Sequence, residues 1–456
     1  MKKYFVAIII AVLFGTAPYQ SDAFCGFYAA KADAKLFNKS SKVVISHDGD
    51  KNVITMSSDY EGSPKEFAMV VPVPTVITKE QVHITENALI DHVDAYTAPR
   101  LVEYFDQDPC LPVRKSISEG LTFNSLAKSV AEDAPKSAAA LGVKIEDQYN
   151  IGEYDILILS AKESNGLETW LNQNGYKIPE GASAVLGSYI KQDMKFFVAK
   201  VNLKAQEKLG FSYLRPIQVA YESSKFMLPI RLGTVNAKGP QELFIFTLTK
   251  KGRVETTNYR TVKIPTNNDV PLFTKKEFGD FYKAMFDNAV KKEGMRTVFL
   301  EYAWNMGACD PCSADPIPND KLLELGAFWL VPKNPPPYVR FSTPQYSGDT
   351  FITRLHVRYD RQHFPEDLML QETPNSESFQ GRYVLHHPWK GEASCPAATQ
   401  YRKNLPERFS KEAENLANLT GWEISDIRKK MESNEQSFDP NQIAKPIKWY
   451  EQLWKK

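Results

Sequence analysis

Alternation of apolar and polar positions runs through most of the chain. "KVVISHDGDKNVITM" (Lys42 to Met56) sets two β-branched runs around Asp48-Gly49-Asp50, the pattern of a β-hairpin. "EFAMVVPVPTVI" (Glu66 to Ile77) is strongly apolar, and Pro72 and Pro74 confine its second half to a sheet edge or an extended exit. Residues 86–106 carry helical spacing in two pieces parted by Pro99, and the Ala- and Ser-rich stretch 121–142 also reads as helix. A mixed unit follows. Tyr154 to Ser160 reads as a buried strand, "GLETWLNQNGY" as a helix stopped by Gly175, "GASAVLGSYIKQD" as a second helix, and "MKFFVAKVNL" as a returning strand.

From Pro216 to Pro265 nearly every run reads as strand. Thr274 to Glu277 has the form of a capping box, opening a helix that runs to Lys292. The strand "TVFLEYAW" then leads into "GACDPCSADPIP". Further strands ("FITRLHVRYD", "DLMLQET", "GRYVLHHPW") precede two terminal helices, Pro406 to Leu419 and Glu423 to Met431. The sum is a mixed α+β fold with a strand-rich core, flanking helices and a C-terminal helical cap. The expected organisation is a signal peptide over 1–23, a main α+β domain over 24–331, a Pro-rich linker over 332–344, and a C-terminal strand-plus-helix extension over 345–456.

The N-terminus bears on the compartment. Lys2 and Lys3 precede an apolar run, Tyr4 to Gly15, that is too short to cross a bilayer, and Ser21 to Ala23 offer small residues for cleavage. A cleaved signal peptide is expected, with export to the periplasm or the exterior. Loss of Lys2, Lys3 and Asp22 leaves equal numbers of basic and acidic residues, which argues against a nucleic-acid footprint. No later apolar run reaches spanning length, so no membrane span is expected after cleavage.

Export changes the reading of the cysteines. Cys25, Cys110, Cys309, Cys312 and Cys395 all fall in the mature chain, and disulfides are the default in an oxidising compartment. Their number is odd, so at least one is unpaired or engaged elsewhere. The Cys309-x-x-Cys312 stretch admits three readings. A redox dithiol wants its first cysteine at a helix N-terminus, and Pro316 and Pro318 oppose a helix there. Zinc wants four ligands, and Cys395 with His386 or His387 would have to complete the set at a spacing that is not diagnostic. A structural staple remains. Closing the Cys309–Cys312 ring would stabilise by about 2 kcal/mol, whereas Cys25 to Cys110, or Cys395 to either member of the pair, would contribute about 4–5 kcal/mol. Long-range pairing is the favoured role, with the connectivity open. No metal and no cofactor is assigned.

Other candidates read as structure. His386 and His387, adjacent in a strand, point to opposite faces and do not converge on a ligand. His47 at the hairpin is expected to be solvated. "DGDKN" lacks the Gly and Glu of a calcium loop, with Val53 and Asp59 in their places. Glu103, Asp106 and Asp108 are expected to face water. The terminal helix pair is read as a packed cap and not as a DNA reader.

Several blocks carry a family likeness. "FCGFYAAKADAKLFNKSSKVVISHDGDKNVITM", "LIDHVDAYTAPRLVEYFDQDPC", "LRPIQVAYESSKFMLPIRLG", "EYAWNMGACDPCSADP" and "ASCPAATQYRKNLPERFSKEAENLANLTGW" resemble the bacterial domain-of-unknown-function 2330 family. All five cysteines lie in these blocks. The resemblance implies a bacterial protein with a signal peptide and carries no activity or catalytic residue. The expected function is that of a non-enzymatic, disulfide-stabilised binding or structural protein of the envelope or periplasm, with an unidentified ligand or envelope protein as partner. The alternative is a periplasmic thiol oxidoreductase using Cys309 and Cys312.

Overall fold

The computed structural model describes residues 27–30, 37–61, 67–111, 143–173, 181–202, 204–205, 214–235, 237, 239–308, 310, 316–331, 349–391 and 395–438. The expected helix over 121–142, the stop at Gly175 and the linker 332–344 lie outside these residues.

Nine strands form the large sheet. Its order is Arg260–Lys263, Thr297–Asn305, Phe351–Tyr359, Gln241–Thr249, Phe37–Asp48, Lys51–Glu61, Ile217–Glu222 and Val82–Ile84, with Phe379–Gln380 also beside Thr297–Asn305. The first and the central pairings, Arg260–Lys263 with Thr297–Asn305 and Phe37–Asp48 with Gln241–Thr249, are parallel, and the others are antiparallel. Phe351–Tyr359 sits inside this sheet, so residues beyond 344 extend the main core from within. A second sheet of five antiparallel strands runs Phe27–Ala30, Phe67–Val73, Lys195–Val201, Tyr154–Ala161, Val143–Ile151.

The two-residue period of these strands assigns their faces. Val43, Ile45, Ile54, Leu243, Ile245, Leu355 and Val357 share one face of the large sheet. They pack in one cluster with Val71, Ile156, Ile158, Phe197 and Ala199 of the small sheet. Each Val, Leu, Ile or Phe of this set contributes about 1.5–3 kcal/mol on leaving water, and a slip of one residue would turn the whole set outward. The far face of the small sheet, with Val70, Leu159, Phe196 and Val198, is covered by the helices Ser164–Gln173 and Ala182–Ile190. The far face of the large sheet is covered by Asn87–Thr97, Asn319–Glu324 and Phe278–Lys292. The protein is therefore mixed α+β, built as helix, sheet, sheet, helix.

The cap helices Pro396–Thr420 and Ile424–Ser433 pack on this assembly through Leu405, Phe409, Ala413, Leu416 and Ile427. Asn288 Nδ2 ties Phe278–Lys292 to the cap by donating to the Leu419 carbonyl at 2.8 Å. Gly421 ends the first cap helix at φ +73°, a left-handed conformation that favours glycine.

Several local expectations are corrected. Residues 100–105 are a strand and not a second helix, because "RLVEYF" pairs in parallel with Arg382–His387 across the fold. The capping box at Thr274 does not form. Thr274 lies in a 3₁₀ turn with its buried hydroxyl lacking a hydrogen-bond partner, and the helix begins at Phe278. The first cap helix starts ten residues before the expected Pro406, with Cys395 as its N-cap and Pro396 in its first turn. Among the described residues Pro72 pairs with Phe196 on one side, and the short strand Phe27–Ala30 on the other side pairs with residues 67–70.

Candidate functional site

Cys110 and Cys395 are joined in a disulfide across 285 positions, so the long-range role holds for these two. The particular pairings weighed on loop length are corrected: Cys110 does not join Cys25, and Cys395 does not join Cys309 or Cys312. Cys25, Cys309 and Cys312 lie outside the described residues. The bond links the turn after strand Arg100–Phe105 to the N-terminus of the first cap helix. His387 Nε2 bonds Glu103 at 2.7 Å, and Lys275 Nζ donates to the same carboxylate at 2.6 Å. Asp106 accepts from Tyr401 Oη at 2.5 Å and Arg408 Nη1 at 2.6 Å. These two carboxylates therefore dock the cap and its neighbours and do not simply face water. His386 and His387 do diverge, the first toward Asp269 at 3.3 Å and the second toward Glu103.

Glu412 lies at the cap interface. It is buried, accepts from Gln436 Nε2 at 2.8 Å, and has its other oxygen 3.5 Å from Arg408 Nε. Burial pushes its carboxyl up to about 8, against the lowering effect of Arg408.

A chain of alternating charge crosses the helix-covered face of the large sheet. It runs Asp287, Arg358, Glu242, His356, Glu301, Arg354, Asp94, Lys42, Asp91. Glu301 is its fully buried centre and sits where a bulge between Leu300 and Tyr302 breaks the register with Phe351–Tyr359. It accepts from Arg354 Nε at 2.6 Å, from His356 Nδ1 at 2.8 Å, and from Tyr282 Oη. Burial would raise the Glu301 carboxyl, but His356 and Arg354 hold it below the usual carboxylate range. Burial lowers His356, and Glu301 with Glu242 more than offsets this, so the imidazole keeps its proton more tightly than usual. Glu242 sits at about 2: burial raises it, and the charges of His356 and Arg358 prevail. His356 is stacked between Phe286 at 3.6 Å and Phe244 at 4.1 Å, with a carboxylate toward each nitrogen. It has no open side for a substrate. The arrangement clamps two helices to the sheet, and its chemistry is structural.

This chain escaped the sequence reading, which treated "TVFLEYAW" and "FITRLHVRYD" as plain buried strands. The available signal was Arg354, His356 and Arg358 at two-residue spacing in a buried run, with a lone Glu301 in another. His47 is also corrected. It is buried, stacked on Phe226 at 3.8 Å and bonded to Asn52 Oδ1 at 2.8 Å.

A cleft of about 240 Å³ takes its lining from both sheets. Ile54, Met56, Val219 and Tyr221 of the large sheet line one wall, and Val71 and Val73 of the small sheet line the other. Gln192, Ser223, Ser224 and Lys225 form a polar mouth, with Lys225 Nζ donating to Gln192 Oε1 at 3.2 Å. An apolar throat with few polar groups at one end suits a small molecule with an apolar body. Among the described residues, no group of three or more His, Cys, Asp or Glu side chains could hold a metal ion. No helix there is long and apolar enough to cross a membrane.

A family model described as an uncharacterised protein conserved in bacteria (DUF2330) matches residues 19–371. No curated protein and no solved structure matches the chain.

Proposed function

The chain belongs to this bacterial family, and from that premise we propose that it is an exported, non-enzymatic binding protein of the periplasm or envelope, stabilised by a disulfide and holding a small apolar or amphipathic ligand between its two sheets. The cleft carries this reading. Its walls come from strands of the two sheets, and polar groups including Glu222, Ser223 and Lys225 line it as well, an arrangement that orients a ligand with an apolar body. The long-range Cys110–Cys395 bond suits an oxidising compartment, as does the Lys2 to Ala23 segment.

The test uses 1-anilinonaphthalene-8-sulfonate as an apolar anionic probe. The mature protein should enhance its fluorescence with a saturable isotherm. Thr75→Trp and Ser224→Trp, at exposed positions lining the cleft, should weaken binding by about tenfold or more, which is 1.4 kcal/mol. Binding unaffected by both variants removes the cleft from consideration. Export is checked by the N-terminal sequence of protein recovered from the periplasm or medium, expected to begin at Phe24.

A further inference from the structure

The Cys110–Cys395 bond is not placed as an inert staple is. Its two sulfurs occupy different environments. Cys110 is exposed, in a turn where Asp108 Oδ1 accepts from its N–H at 2.8 Å. Cys395 is half-buried and is the N-cap of the 25-residue helix Pro396–Thr420, with its Sγ accepting from Ala398 N–H at 3.4 Å. The first turn of that helix has no acidic residue, so the partial positive charge of its N-terminus is unopposed along the helix. The charged groups on the facing segment are already engaged: Asp106 by Arg408 and Tyr401, Asp108 by the Cys110 N–H, and Glu103 by Lys275 and His387.

We propose that Cys110–Cys395 is an exchange-active disulfide that a protein dithiol attacks at Cys110, with Cys395 leaving as a thiolate held by the helix N-terminus. A thiolate of the dithiol forms a bond to Cys110 Sγ, the Cys110–Cys395 bond breaks, and its electron pair stays on Cys395 Sγ. The second thiol of the dithiol then attacks the sulfur bonded to Cys110. It closes the partner's own disulfide, and Cys110 Sγ departs and takes a proton. The protein gains two electrons and the dithiol loses two. Direction follows from exposure, which selects the attacked sulfur, and from leaving-group stability, which the helix N-terminus supplies to Cys395 alone. Opening the bond would release Cys110 from the helix N-terminus, while Asp106 stays bonded to Tyr401 and Arg408 and the cap remains packed through Leu405, Phe409 and Leu416. This stands apart from ligand binding in the cleft and does not depend on it.

The test begins with the unaltered mature chain. Reduced glutathione is added at neutral pH, the reaction is quenched in acid, and mixed disulfides are located by peptide mass spectrometry. Glutathione is expected on Cys110, in folded protein, within minutes. Attachment to Cys395 instead, or no reaction until denaturant is added, overturns the proposal. A second measurement follows iodoacetamide alkylation site by site. Cys395 in Cys110→Ser should react about tenfold faster at pH 7 than Cys110 in Cys395→Ser, because an ordinary thiol is only a few per cent ionised there. Within Cys110→Ser, the exposed Ala397→Glu should slow Cys395 and Ala397→Lys should speed it. Equal rates at the two sulfurs, or no response to the sign of the charge at residue 397, refute the role given to the helix.

Discussion

Removal of the charge at Glu301 tests the account of the buried chain most directly. Glu301→Gln keeps the shape of the side chain and leaves its three donors in place. Arg354 retains Asp94, and His356 retains Glu242 at 3.5 Å, but both lose the fully buried counter-charge between them. The new amide also turns an N–H group toward donors. Breaking a buried ion pair from one side costs about 3–5 kcal/mol. A domain has about 5–15 kcal/mol to lose, so the variant should stand near the edge of stability. The assay is urea unfolding followed by far-ultraviolet circular dichroism at pH 6, with Arg354→Met and the double variant alongside. The two single losses together should exceed the double loss by about 2 kcal/mol or more, since each single variant strands the partner that the double variant removes. A loss below about 1 kcal/mol for Glu301→Gln, with additive singles, would refute the reasoning. The pH dependence has a defined sign. Carboxylates held low, Glu301 and Glu242, stabilise the fold above their unfolded values, and this is lost as pH falls through the folded ones. His356, held high, stabilises below its unfolded value and loses this as pH rises. The contribution of the chain should therefore peak at mildly acidic pH.

Three further outcomes follow from particular contacts. Glu412 is raised to about 8, so its ionisation weakens the fold as pH climbs from its ordinary value toward 8; Glu412→Gln should raise the melting temperature at pH 8.5, by about 1–3 kcal/mol of stability, and change little at pH 5. Gly326 has φ +90°, and a Cβ there would lie 2.5 Å from the Val53 side chain, so Gly326→Ala should cost about 2–4 kcal/mol in urea unfolding. Reduction of Cys110–Cys395 should lower the melting temperature without loss of the native far-ultraviolet spectrum, and the unfolding free energy should fall by about 2–5 kcal/mol for a bridge spanning 285 positions.

Much of the element sequence was legible in the chain because side-chain period is a local property. The hairpin around Gly49, the strand-helix-helix-strand unit over residues 154–201, and the strands near residues 241–249, 297–305 and 351–359 follow from alternation and turn residues alone. The same pattern indicated a mixed fold with a helical cap. Capping failed where tertiary contacts took over: Thr274 was drawn into a buried turn, and Cys395 with Pro396 started a helix whose first ten residues carry weak apolar spacing.

What the sequence determined, then, was which residues share a face. What only the tertiary structure decided was which faces and which distant residues meet. Strand Arg100–Phe105 reads locally as helix until Arg382–His387 supplies a partner. Cys110 finds Cys395 because one ends a strand exit and the other begins a docked helix, whereas loop length alone left several pairings open. Glu301, Arg354 and Asp94 lie far apart in the chain and form a charge chain only because a bulge aims one carboxylate into the layer between sheet and helices. The cleft forms only because strands of two different sheets come to line it together. The physical reason is common to all four. Period and propensity act over a few residues, while pairing across a core is settled by the simultaneous fit of burial, charge and backbone hydrogen bonds over the whole chain.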